Sequence, residues 1–160
     1  MILVIYGQPG TGKTTLAKAY MERYYNTLPN YNRDFFHIDG DLLRTATRNE
    51  SFRLIDREAN CRLGNNIALY AYAMGLFPIV SMLHPFEDIR KELREKAPCR
   101  VCYVELTYSQ DIANRGKEDR WVPYFGHAVD DPYTIHINTG LVNVREAVHR
   151  IHMHVTVNKW

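Results

Sequence analysis

The stretch Gly7-Gln8-Pro9-Gly10-Thr11-Gly12-Lys13-Thr14-Thr15 constrains this chain more than any other. It spells G-x-x-x-x-G-K-T, and the sequence around it supplies the context that the string needs. Ile2 to Tyr6 is an apolar, β-branched run that reads as a buried strand, and Thr14 to Tyr24 reads as the helix that follows. Strand, glycine-bearing turn and helix start together make a cradle for phosphate. Glycines let backbone N–H groups point inward, and the helix N-terminus adds partial positive charge. In such a cradle Lys13 reaches the β- and γ-phosphates of ATP, and the Thr14 hydroxyl ligates Mg²⁺. The nine residues from Gly7 to Thr15 are therefore the expected nucleotide-binding loop.

Composition narrows what this loop serves. The 160 residues suffice for one domain with a full core, expected to run over 1–160. A net charge of +2 permits an anionic substrate without pointing by itself to nucleic acid. The longest apolar stretch, Ala71 to Leu83, is broken by Gly75 and Pro78 and is too short to span a membrane. With the first strand expected from residue 2, no signal peptide is expected ahead of it. Three cysteines, an odd number, argue for a reducing compartment. The expected location is cytoplasmic, or the host cytoplasm for a viral protein, as a monomer or homodimer. Cys99 and Cys102 form an isolated C-x-x-C, a redox or metal pattern set here against plain core packing.

Along the chain, strands are expected at Phe35–Ile38, Phe77–Leu83, Arg100–Leu106 and Thr134–Asn138. Helices are expected over 51–74, Phe86–Ala97, a short piece near Ser109–Asn114, and Val144–His154. In the long helix Leu54, Ile55, Ala59, Leu63, Ile67, Ala68 and Ala71 recur at three and four, the apolar face of that element. Strands alternating with helices predict right-handed βαβ units, hence an α/β fold with a five-stranded parallel sheet, helices on both faces and a short lid. Ligands of such sheets sit beyond the carboxyl ends of the strands, where the P-loop, Asp39–Asp41 and Ser81–His84 all fall.

Asp39 and Asp41 flank a glycine straight after the second strand. One carboxylate there holds a Mg²⁺-bound water while its partner orients an incoming hydroxyl or takes its proton. The alternative is a tight turn with a helix N-cap at Asp41. Arg44 lies three residues on. Arg57 and Asn60 share a helix face, extended by Arg53, and suit an anionic, nucleotide-like acceptor as well as a solvated ion-paired face. Arg115, Lys117 and Arg120 form a cationic segment whose charge would stabilise a transferring phosphoryl group. Trp121, Tyr124 and Phe125 follow, suited to stacking on a base or to anchoring the loop. His84, at a strand end, is placed to face the acceptor, whereas His136, His152 and His154 read as structural or exposed.

Four elements together resemble adenylylsulfate (APS) kinase: G-x-x-G-x-G-K-T-T, then I-D-G-D-x-x-R from Ile38 to Arg44, then D-R-x-x-N-x-R from Asp56 to Arg62, then F-x-x-x-x-D-D-P-Y from Phe125 to Tyr133. The resemblance runs over most of the chain. It implies a P-loop kinase fold, ATP with Mg²⁺, and phosphorylation of a hydroxyl on a nucleotide. It also implies that Arg44, Arg57 and Asn60 contact the acceptor, that Asp39 or Asp41 serves the attacking hydroxyl, and that Arg115 packs near the adenine of ATP.

The departures fall on the acceptor side. His84-Pro85-Phe86-Glu87 stands where the family carries S-P-Y-R, Leu63 replaces the second arginine of N-I-R-R, and Gly116-Lys117-Glu118-Asp119-Arg120 replaces a longer lid motif. Phosphate-handling parts kept and acceptor-handling parts changed suggest a kinase recruited to another hydroxyl. On that ground the favoured acceptor is the 5-hydroxymethyl group of hydroxymethyluracil in DNA, as for viral DNA-hypermodification kinases. The base would be extruded, and arginines at 44, 48, 53, 57 and 62 would track the backbone. APS is the alternative acceptor, and a non-catalytic nucleotide-binding switch is a third reading.

Overall fold

The computed structural model describes residues 1–25, 34–49, 51–108, 121, 122, 125 and 131–157. β1 (Ile2–Gly7) is the centre of a five-stranded sheet in which β2 (Phe35–Asp39), β3 (Phe77–Met82), β4 (Val101–Thr107) and β5 (Thr134–Asn138) all run parallel, in the order β2-β3-β1-β4-β5. β1 pairs with β3 from Leu3↔Ile79 to Tyr6↔Met82 and with β4 from Ile2↔Val101 to Gly7↔Leu106. A central parallel strand is covered on both faces, and every residue of β1 is buried.

Alternate side chains of the strands feed two separate cores. Leu3, Ile5, Ile79, Cys102 and Val104 meet α1 (Lys13–Tyr24) and α5 (Val144–Val157) through Leu16, Tyr20, Val148 and Ile151. Ile2, Val4, Tyr6, Val80 and Met82 meet α3 (Leu54–Ala73) and α4 (Glu87–Lys96) through Cys61, Ala68, Ile89 and Leu93. Helices thus lie on both faces, as expected. Cys102 belongs to the first core and Cys99 packs on the second, while the expected helix near 109–114 and the short lid lie outside the described residues.

Two stretches depart from the sequence reading. The D-G-D turn opens a further helix, α2 (Gly40–Thr47), and its N-cap is Asp39 rather than Asp41. The Asp39 carboxylate sits before the first turn and accepts from the backbone N–H of Asp41 and Leu42, at 3.0 and 3.1 Å. The second departure is the face that α3 buries. Leu54, Ile55, Ala59 and Leu63 point to solvent, while Arg57, Asn60, Cys61, Gly64 and Asn65 face inward. Glu87, in the family's cation position, is exposed in the first turn of α4, where its charge suits the helix N-terminus.

Candidate active site

The loop between β1 and α1 takes its shape from glycine. A Cβ on Gly7 would stand 2.4 Å from the Leu106 carbonyl oxygen, so only glycine lets β1 leave the sheet this close to β4. Gly12, at φ 90°, caps α1 in the left-handed region, and no side chain caps that helix start. The first N–H groups of α1 are left to an anion. Lys13 Nζ donates to the Gln8 carbonyl at 2.8 Å, and Thr11 Oγ1 donates to the same oxygen at 2.8 Å. The Gln8 side chain is spoken for: Nε2 donates to Val122 O at 2.6 Å and Oε1 accepts from Val122 N at 3.1 Å.

Beyond the loop, Thr14 Oγ1 donates to Asp39 Oδ2 at 2.6 Å. Ser81, buried near the end of β3, donates to the same oxygen at 3.1 Å. His37 Nε2 lies 2.8 Å from Ser81 Oγ. With the serine proton given to Asp39, the imidazole is the donor in that contact. Burial pushes the Asp39 carboxyl up, but donation from Thr14, Leu42, Ser81 and Asp41 outweighs it and leaves the group below the ordinary carboxylate value. A hydroxyl and an ionised carboxylate, both hard oxygen donors beside a phosphate loop, suit Mg²⁺. The structure thus brings the two expected metal ligands together, and Ser81 is a partner the sequence reading did not assign.

One cleft of about 280 Å³ joins this corner to α2 and α3. Pro9, Gly10, Gly12, Lys13, Thr14 and Thr15 line it from the loop, and Asp39, Asp41, Arg44, Arg57 and Asn60 from the other side. Arg44 donates to Ser51 O at 2.7 Å, and Arg57 Nε to Phe52 O at 2.7 Å. Both guanidiniums lie over the Phe52 ring, at 5.0 and 5.4 Å from its centroid. Phe52 also lines the cleft and was missed from sequence, because an aromatic before a helix start carries no signal of its own. Asn60 Nδ2 donates to Gly40 O at 3.4 Å, while its buried Oδ1 has no hydrogen-bond partner among the described residues.

A second cavity, about 190 Å³, abuts the other side of the loop, between Gly10, Gly12 and Thr15 and the chain after β5 at Thr139, Val142 and Asn143. Thr139 Oγ1 donates to Thr11 O at 3.1 Å, tying that chain to the loop. No motif marks these residues; only the closing of the sheet brings them here.

Two expected acceptor residues are elsewhere. His84 does not face the acceptor: it is wholly buried, with Nε2 3.0 Å from Asn65 Oδ1 and its carbonyl accepting from Arg90. The chain turns after β3 and tucks the imidazole beneath α3. Burial first, then the Arg90 charge, pushes its pKa down to about 3, so it is neutral at ordinary pH. Phe125 is not among the cleft residues; its ring stacks on Tyr6, centroids 5.9 Å apart and planes nearly parallel, which is the anchoring alternative. Asp131, from the D-D-P-Y element, accepts from Tyr133 N at 3.0 Å and from Thr134 Oγ1 at 2.9 Å and pairs with Arg94, holding the entry to β5. Arg115, Lys117, Arg120 and Tyr124 lie outside the described residues. No described helix is long and apolar enough to cross a membrane.

The family model for adenylylsulphate kinase matches residues 1–124. An adenylyl-sulfate kinase from Gloeothece citriformis is 28% identical over 91% of this chain and 88% of its own, and one from Picosynechococcus 26% over 91% and 87%. Among solved structures, the Mycobacterium tuberculosis APS kinase in complex with AMPPNP and APS superposes with a TM-score of 0.78 at 14% identity, over 96% of both chains. A sugar kinase from Janibacter superposes at 0.72 and 15% identity, over 98% of this chain and 95% of that one. At such identities the superpositions speak to the fold.

Proposed function

The chain belongs to the adenylylsulphate kinase family, P-loop phosphotransferases that use ATP with Mg²⁺ and phosphorylate a hydroxyl, and from that premise we propose that its acceptor is APS. The observation that carries this reading is the orphaned Asn60 Oδ1 beside Arg57 on the cleft wall. A buried, unmet acceptor atom costs about 1–3 kcal/mol, which a ligand N–H or O–H recovers. The neighbouring guanidiniums of Arg57 and Arg44 take an anionic group. A small molecule offering both within one cleft is a nucleotide.

The expectation of a DNA acceptor gives way on the same surface. Of the arginines expected to track a backbone, Arg53 pairs with Asp56 at 2.8 Å, Arg62 pairs with Glu92, and Arg57 is buried. Two of the five are thus paired with carboxylates, and Arg44 and Arg57 line the cleft, an arrangement that favours a small anionic acceptor over a phosphate chain. The relatives named above are adenylyl-sulfate kinases, which favours a mononucleotide acceptor as well.

In this reading Lys13 leaves the Gln8 carbonyl for the phosphates of ATP, and the cavity beyond Gly10 and Gly12 takes its base. Thr14 and Asp39 hold Mg²⁺, which supplies charge neutralisation to the phosphate oxygens. Four hydrogen bonds to its carboxylate hold Asp39 ionised, below the ordinary carboxylate value, and so it is poorly placed to take a proton. Asp41 is exposed on the cleft and takes the acceptor's hydroxyl proton. The acceptor oxygen forms its bond to the γ-phosphorus as the bond to the bridging oxygen breaks, and ADP leaves.

The test offers the protein labelled ATP with APS and with hydroxymethyluracil DNA in parallel. Label should appear on APS, at a rate that changes less than about twofold between low and physiological salt. Label on DNA with none on APS reverses the assignment.

A further inference from the structure

Gly64 sits inside α3, where a glycine weakens the helix and has to be justified by space. A Cβ at Gly64 would stand 2.2 Å from Met82 Cε and 3.2 Å from Met82 Sδ. Met82 ends β3, is 2% exposed and lines the acceptor half of the cleft, whereas Gly64 does not reach it. The same methionine meets a second glycine: a Cβ at Gly40 would stand 2.6 Å from Met82 Cβ and 3.2 Å from its Cα. Its root is therefore packed against the start of α2, and its thioether end is seated over α3. Leu43 Cδ2 lies 3.7 Å from the Gly64 Cβ position and closes a further direction. Met82 lines the cleft together with Phe52, Arg57 and Asn60, so a displaced thioether has that space to move into.

We propose that Gly64 is a positioning residue for the acceptor: it seats the Met82 side chain back from the cleft and so sets the size of the group accepted against that wall. The inference rests on the APS reading above. A methionine wall is soft and polarisable and makes favourable contact with a planar aromatic group, the kind a nucleotide base presents. The far end of Met82 is flexible, so an added methyl at 64 moves this side chain in preference to the helix or the strand.

The experiment compares wild type, Gly64→Ala and the double variant Gly64→Ala/Met82→Val, titrating APS into the protein loaded with MgADP by calorimetry and ATP into the free protein. Gly64→Ala should weaken APS about tenfold or more, the usual penalty of one misplaced methyl group in a pocket, and shift ATP affinity by less than about twofold. The double variant, with the thioether end removed, should recover most of the APS affinity. Unchanged APS affinity in a Gly64→Ala protein that melts like wild type overturns the proposal, as does a loss that the second substitution does not repair. Should Gly64→Ala fail to fold, Met82→Val alone decides. It should admit an APS analogue enlarged on the base that wild type rejects, and equal rejection by both overturns the proposal. Failure of wild type itself to bind APS is a different result, and it sinks the acceptor assignment.

Discussion

Two carboxylates two residues apart do different work because of what donates to them. Asp39 caps α2 and accepts from Thr14 and Ser81, so its oxygens are held in place. Asp41 lies one step into the helix, its backbone N–H given to Asp39 and its side chain on the cleft. Asp41→Asn should lower kcat by about 10²-fold, the size of a lost general base, with KM for ATP unchanged. Steady-state kinetics with each substrate varied in turn checks this; a rise in KM for ATP at constant kcat would move Asp41 to the nucleotide side. Asp39→Asn should act differently, costing about 1 kcal/mol of stability through the weakened cap and weakening Mg²⁺ as well, read by urea melts and metal titration. Lys13→Ala should abolish transfer with the melting temperature retained, since in the proposed reading its ammonium holds phosphate, while in the free protein it donates to the Gln8 carbonyl of the loop.

At the scale of the element, α3 shows what periodicity can and cannot tell. Its C-terminal half follows the rule: Ala68 and Ala71 are buried where the apolar repeat puts them. Its N-terminal half inverts it: where the helix lines the cleft, Arg57 and Asn60 turn inward and Leu54 and Ile55 stay outside. Reading the apolar residues as the buried face therefore fails just where the helix lines the cleft. α2 escaped notice for a related reason: Asp-Gly-Asp reads as a turn, and only the donors around Asp39 reveal a cap. The inversion has a measurable consequence. Ile55→Ser, at 69% exposure, should shift stability by no more than about 0.5 kcal/mol. Ala68→Leu, at 0%, should cost about 1–3 kcal/mol by overpacking the second core. Urea melts rank the two, and a larger cost at 55 would restore the simple reading.

At the scale of the whole molecule, the strand order gathers chemistry at one rim: the phosphate loop after β1, Asp39 at the end of β2, Ser81 and Met82 at the end of β3, Thr139 after β5. The strands were legible to within a residue or so, since buried β-branched runs have few alternatives, and the loop was legible because its chemistry demands its residue types. The second cavity and the place of His84 depend on how distant segments close on one another, which no local pattern encodes. His84 carries a testable result of that closure. Its imidazole is pushed from 6.5 down to about 3 in the folded protein, by burial and then by Arg90. The unfolded chain takes up its proton near pH 6.5 while the folded chain resists, so stability is full above that pH and falls as the pH drops from 6.5 toward 3. Each pH unit across that window removes up to about 1.4 kcal/mol from this one group. His37, His152 and His154, also lowered, act with the same sign and remain in every variant. His84→Gln keeps a side-chain amide beside Asn65 but cannot titrate. Its melting temperature should therefore fall less steeply than that of wild type between pH 6.5 and pH 5, whatever its value at pH 8. Parallel slopes for the two proteins would mean that the buried imidazole finds its proton in the folded state after all.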